Sequence, residues 1–204
     1  ILILCYGLLI NILEGPWKDK VRHLYPNTID YMNFMGHFNI WMGVSCIIFT
    51  IIGSNILRNT SWIFSALFTP IILMITGLPF FGFVILGNTI DFMDPLYYAV
   101  MFGASQNILS KSTKYCLFDS TKEMAYIPLS IELKTKGKAA VEVIGLKFGK
   151  SLGAFIQSSF FILFPMASFD SVSKYLMILF IIIIFVWIIN IRLLNTKYLS
   201  LLNK

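Results

Sequence analysis

Charge is what this sequence is short of. Only 13% of its 204 residues are Asp, Glu, Lys or Arg, 57% are hydrophobic, and the mean hydropathy is +0.79. A soluble domain carries roughly a quarter charged residues, so a soluble enzyme is excluded. Histidine and cysteine are sparse too. His23 and His37 lack acidic or cysteine partners at metal-ligand spacing, and Cys5, Cys46 and Cys116 form neither a disulfide framework nor a zinc pattern. No metal site and no cofactor is expected. No nucleophile–base pair or paired-carboxylate arrangement stands out, so no enzymatic activity is expected either. The net charge of +6 comes from basic residues dispersed in an apolar chain, which is not the footprint of a nucleic-acid binder. A signal-peptide n-region is also missing. Ile1 opens directly in an apolar run, which creates the expectation of a fragment whose natural chain continues upstream.

What the chain does have is long apolar runs. Residues 176–191 contain no charge at all, and a helix of that length crosses much of the ~30 Å of bilayer hydrocarbon. Six spans are predicted, at 1–17, 34–53, 62–87, 95–118, 141–168 and 172–194. Pro70 and Pro79 fall inside the third, where kinks are expected. No Gly/Ser linker or low-complexity tract divides the chain, so residues 1–204 read as one domain. The fold class is an all-α polytopic membrane protein.

Orientation follows the distribution of Lys and Arg. Lys122, Lys134, Lys136 and Lys138 lie between spans four and five, Arg58 between two and three, and Arg192, Lys197 and Lys204 at the C-terminus. The alternate connections hold Asp91 and Asp94, then Asp170 with Lys174. Lys18, Lys20 and Arg22 run against the pattern, partly offset by Asp19 and Asp30. The lysine-rich loop is therefore placed on the cytoplasmic (or stromal) side.

Charges inside spans carry the functional signal, because a charge at the bilayer centre costs ~2.5–3.5 kcal/mol on insertion scales. Glu14 stands near the end of the first span, four residues before Lys18, which makes a simple ion pair one reading. Asn107, Lys111, Lys114 and Phe118 share one helical face at the end of the fourth span. In the fifth, Lys147, Lys150, Ala154 and Gln157 form one face, and Gly145, Gly149 and Gly153 form another suited to close helix packing. Any one of these lysines could snorkel to the interface. Four on two helices, beside amides and hydroxyls, fit a water-filled cavity for a strongly anionic ligand such as a phosphate. The segment Gly145-Leu-Lys-Phe-Gly149-Lys150-Ser151 imitates a phosphate-binding P-loop, but it has three residues between the glycines instead of four and lacks a preceding strand.

Residues 106–129 read QNILSKSTKYCLFDSTKEMAYIPL, residues 133–145 LKTKGKAAVEVIG and residues 149–157 GKSLGAFIQ. Further matches are INILEGPWKDKV at 10–21, MGHF at 35–38 and TPIILMITG at 69–77. Together they closely resemble the ATP/ADP translocase (nucleotide transporter) family of plastids and obligate intracellular bacteria. The resemblance implies the C-terminal half, spans seven to twelve, of a major-facilitator-like twelve-helix carrier, with the N-terminal half missing. It implies ATP and ADP as transported substrates, a membrane-lipid environment, and location in a bacterial inner membrane or plastid inner envelope. Glu14 matches a transport-critical acidic position and Lys150 a critical basic one. Asn107, Lys111 and Lys114 match motif positions and join Lys150 as the expected substrate-binding set, while Asp119, Lys122 and Glu123 join Glu14 as the expected gating or ion-pair set. Gly15-Pro16 departs from the two β-branched residues usual before the tryptophan, a departure that bears on the local helix geometry near Glu14 and not on the family. Other members carry other nucleotides or NAD, some with protons. A membrane-embedded enzyme acting on lipid phosphate is the alternative from another class, but it would need a placed His, Asp or Cys.

Overall fold

The computed structural model describes residues 1–87 and 94–202, and all regular elements among them are helical. Asp91 and Lys204, which enter the orientation reading, fall outside the described residues, as does the side chain of Lys136. Helix α1 covers Leu2–Leu24, α2 Thr28–Asn59, α3 Trp62–Leu86, α4 Pro95–Thr113, α5 Asp119–Tyr126, α6 Lys138–Leu163 and α7 Phe169–Leu202. The long helices coincide with the expected spans, and α5 is a short addition within the lysine-rich connection. By length and composition α2, α3 and α7 can cross a membrane. The other long helices are diluted by polar and charged residues, among them the candidate site residues.

Several helices overrun the expected spans. α1 continues through Lys18–Leu24, and α7 ends at Leu202. Those extensions are polar but contain no Gly or Pro, so nothing local stops the helix. Two helix starts, those of α2 and α4, carry side-chain caps. Asn27 accepts from the Ile29 amide, and Asp94 accepts from the amides of Leu96 and Tyr97 with Pro95 in the first turn. Pro16, Pro70 and Pro79 lie within helices rather than ending them.

The most buried long helix is not the most apolar one. α1 packs against α6, α4 and α7, with Leu9, Ile12, Leu13 and Trp17 essentially inaccessible. The Trp17 indole N–H donates to the Val100 carbonyl across the α1–α4 contact at 3.0 Å. By contrast α2 buries only Phe38 and Gly53 among its residues. Ile40, Trp41, Ile47 and Ile51 on α2 are exposed on several sides, so lipid or further protein must surround this helix.

The glycine face of α6 does what its spacing predicts. A Cβ at Gly149 would stand 2.7 Å from the Leu4 carbonyl, one at Gly7 2.9 Å from the Leu146 carbonyl, and one at Gly153 2.8 Å from Asn11 Cβ. The backbones of α1 and α6 are therefore in contact, which is how helices gain packing where the solvent is itself apolar. The imitation P-loop lies in the middle of this helix.

Between α4 and α5 the chain stays helical but widens into a π segment at Lys114–Phe118. A second π segment, Leu133–Gly137, leads into α6. The first sits in the middle of the motif that carries the family resemblance.

Candidate functional site

Two polar regions emerge, one beside α1 and one at the lysine-rich end. The first is an open groove between α1 and α6, about 320 Å³, lined by Asn11, Glu14, Gly15, Lys18, Ala154 and Gln157, with Phe161 and Phe169 at its edge. Gln157 is buried, and its Nε2 donates to both the carbonyl oxygen and Oδ1 of Asn11 at 2.9 Å. Gly15 makes room for it, since any Cβ at that position would collide with the Gln157 amide. The departure at Gly15-Pro16 therefore leaves α1 helical and opens space for a side chain of α6. Glu14 pairs with Lys18 at 2.9 Å and keeps partial exposure to the groove. The ion-pair reading of Glu14 is the one the structure displays.

Lys150 stands one turn before Ala154 on the same helix. Lys147 and Lys150 are both exposed, and neither has a carboxylate partner among the described residues. On α4 the residues of the expected set separate. Asn107 is fully buried, with its Nδ2 donating to the Gly103 carbonyl and its Oδ1 without a protein partner. Lys111 is half-buried, has no carboxylate partner among the described residues, and its ammonium lies 6.0 Å from the Phe38 ring of α2. Lys114 is engaged: its Nζ sits 2.7 Å from Asp119 Oδ2 and 4.3 Å from the Tyr115 ring. Lys111 and Lys150 thus occupy two helices that both pack on α1.

The second polar region is an ion-pair chain at the lysine-rich end. Asp119 receives Lys114 on one oxygen and Lys122 on the other at 3.4 Å, and Lys122 reaches Glu142 of α6 at 3.0 Å. Lys138 closes on Glu123 at 2.6 Å. The π segment makes the first link possible. In an α-helix, residues five apart lie 140° round from each other, whereas a π turn hydrogen-bonds i to i+5. The Asp119 amide does donate to the Lys114 carbonyl, and the side chains meet above it. For Lys122, burial works to lower the pKa, but the hydrogen bond to Glu142 and the charges of Asp119 and Glu142 outweigh it and raise the value. The hydrogen bond to Glu123 likewise raises that of Lys138. The chain binds α5 to the start of α6 as a latch would.

The geometry thus brings Asp119, Lys122 and Glu123 into ion pairs, and it links Lys114 to that group. It does not bring Asn107 to an open surface. Two partners escaped sequence reasoning. Asn11 and Glu142 both lie in the quoted motifs, but their roles depend on Gln157, 146 positions away, and on Lys122 of α5 reaching across to α6.

Comparison with known proteins identifies the family. A family model described as TLC ATP/ADP transporter matches residues 1–198. ADP,ATP carrier protein 3 of Rickettsia conorii is 68% identical over 186 residues, covering 89% of this chain and 37% of that protein. The protein of the same name from Rickettsia bellii is 67% identical over the same shares. ADP,ATP carrier protein 1 of Rickettsia typhi is 48% identical over 211 aligned positions, covering 100% of this chain and 42% of that protein. The chain therefore spans less than half the length of these relatives. No solved structure matches it. With the match extending over nearly every residue, the chain belongs to the TLC ATP/ADP transporter family.

Proposed function

We propose that this chain is the C-terminal six-helix half of a twelve-helix carrier that exchanges ATP for ADP across a membrane. The observation that carries the reading is the pair of ammonium groups on Lys111 and Lys150. They lack carboxylate partners among the described residues and sit on helices that both pack against α1. An unneutralised cation within a span is costly unless water or an anion attends it, and the phosphates of a nucleotide supply that charge through charge-assisted hydrogen bonds. Lys114 belongs to the same set in a second state, released from Asp119 when phosphate competes for it. The bare flanks of α2 suit an N-terminal half that closes the other side of the site, and alternating access is then rocking of one half against the other. Glu14 acts as a gating carboxylate, since it would repel phosphate directly. The Rickettsia relatives favour the inner membrane of an intracellular bacterium over a plastid envelope.

The test is uptake of labelled ATP by the full-length protein in vesicles preloaded with ADP, with unlabelled ADP, GTP and NAD as competitors. Counter-exchange inhibited by ADP alone is expected. Uptake that ignores internal ADP, or that NAD or GTP suppresses equally, overturns the ATP/ADP assignment.

A further inference from the structure

The amides of Asn11 and Gln157 leave two hydrogen-bonding groups unengaged. The end of Gln157 that meets the Asn11 backbone carbonyl must be Nε2, since only an N–H can donate to a carbonyl oxygen. That fixes which way the Gln157 amide faces. The second bond from the same Nε2 then requires Oδ1, not Nδ2, on the Asn11 side chain. What remains is Gln157 Oε1, an acceptor standing over Gly15, and Asn11 Nδ2, a donor. Neither has a protein partner among the described residues. Both side chains line the groove between α1 and α6, clear of both ends of the chain. Asn11 is pressed against α6, because a Cβ on Gly153 would stand 2.8 Å from its own Cβ. The acceptor and the donor are thus held side by side on a polar wall.

We propose that this groove is the base subsite of the carrier, where Gln157 Oε1 accepts from the 6-amino group of adenine and Asn11 Nδ2 donates to its ring N1. The assignment rests on the nucleotide-exchange reading and adds to it the residues that choose the base. The edge of adenine farthest from its sugar presents the amine donor beside the N1 acceptor. Guanine presents a carbonyl acceptor and an N–H donor at the same two positions, so each would face its like and go unpaired. Charge sets the direction in which the nucleotide lies. Lys150 stands seven residues before Gln157 on α6, about 10 Å along the helix axis, a gap that a ribose and its phosphates bridge. Glu14 repels phosphate and leaves its own end of the groove to the neutral base. Lys18, the other cation there, is already paired with Glu14 at 2.9 Å. Phe161 and Phe169, edge-on at 4.9 Å, give the groove an aromatic border on which a purine can stack. A clamp between two helices would need only the Nε2 bonds.

The experiment is competition for labelled ADP bound to the full-length carrier in mild detergent. The competitors are ADP, 1-deaza-ADP, which lacks N1, IDP, which carries a 6-oxo group, and inorganic tripolyphosphate, which has no base. ADP should compete about tenfold or more better than 1-deaza-ADP or IDP. Asn11→Leu removes Nδ2 and leaves Gln157 its bond to the backbone carbonyl, so it should bind ADP and 1-deaza-ADP equally. An amide pair that only joins helices would weaken both ligands alike and keep their ratio. Should that variant not fold, Gln157→Met removes Oε1 and should erase the preference for ADP over IDP. Equal binding of ADP and its analogues by the parent, or a preference that survives both substitutions, overturns the base subsite. Failure of the two readings is separable. Tripolyphosphate that competes while the bases go undistinguished sinks the base subsite alone, whereas a parent that binds neither ADP nor tripolyphosphate sinks the exchange reading and the subsite with it.

Discussion

Gly149 of α6 lies against Leu4 of α1 so closely that a Cβ at position 149 would stand 2.7 Å from the Leu4 carbonyl oxygen. The atom in the way is backbone, which cannot rotate aside. Gly149→Val must therefore push the helices apart, and a loss of about 1–3 kcal/mol is expected, in the range of overpacking. Thermal unfolding of the full-length protein in detergent checks this. An unchanged midpoint would show that α1 and α6 do not touch.

Lys150 follows that glycine and carries the phosphate-contact proposal. Lys150→Arg keeps the charge but replaces a compact point donor by a planar fork, which a fitted site should not accept. Nucleotide affinity should fall about tenfold or more in both Lys150→Arg and Lys150→Ala. A snorkelling lysine would tolerate the arginine, so near-normal binding in both variants rules Lys150 out as a ligand.

Glu14 should behave differently. Its pairing with Lys18 at 2.9 Å places it in the groove as half of an ion pair. Glu14→Gln should lower the exchange rate in reconstituted vesicles more than it lowers nucleotide binding. Equal losses in the two measurements would make Glu14 a binding residue, and no loss in either would remove it from the mechanism.

Exchange of ATP⁴⁻ for ADP³⁻ without a compensating ion moves one net charge per cycle. An imposed potential should then shift the driving force by ~2.3 kcal/mol per 100 mV. Voltage-independent exchange would refute the uncompensated mode and leave the family assignment untouched.

The Lys122 link gives a pH prediction with a definite sign. Its pKa is raised in the folded protein by Glu142 and Asp119, which overcome the opposing effect of burial. The stabilisation is therefore fully present below the ordinary lysine value near 10.5 and fades as pH rises through the higher folded value. The difference in unfolding midpoint between the parent and Lys122→Met should stay constant from pH 6 to 9 and shrink only in strong alkali, roughly above pH 10.5. A difference that already varies near neutrality would assign the link to another group.

Much of this protein is local in origin and legible in the order of its residues. Apolar runs of bilayer length place the long helices, because hydrophobic content over some twenty residues needs no tertiary partner to be read. Gly145, Gly149 and Gly153 announce a packing face through their spacing alone, and Glu14 and Lys18 announce a pair. Helix ends are less legible, since α1 and α7 run on through polar residues that merely permit a helix.

Other features required the chain to fold back on itself. Nothing in the one-dimensional pattern marks Lys114–Phe118 as a π segment, yet that change of period turns Lys114 toward Asp119. Gln157 shares a helical face with the lysines, and only the docking of α6 on α1 gives it Asn11 as a partner. Sequence determined which segments are helical and which faces are polar, because both depend on near neighbours along one chain. The tertiary structure decided which of those charges pair off and which stay open to a ligand, because that depends on groups brought together from distant positions.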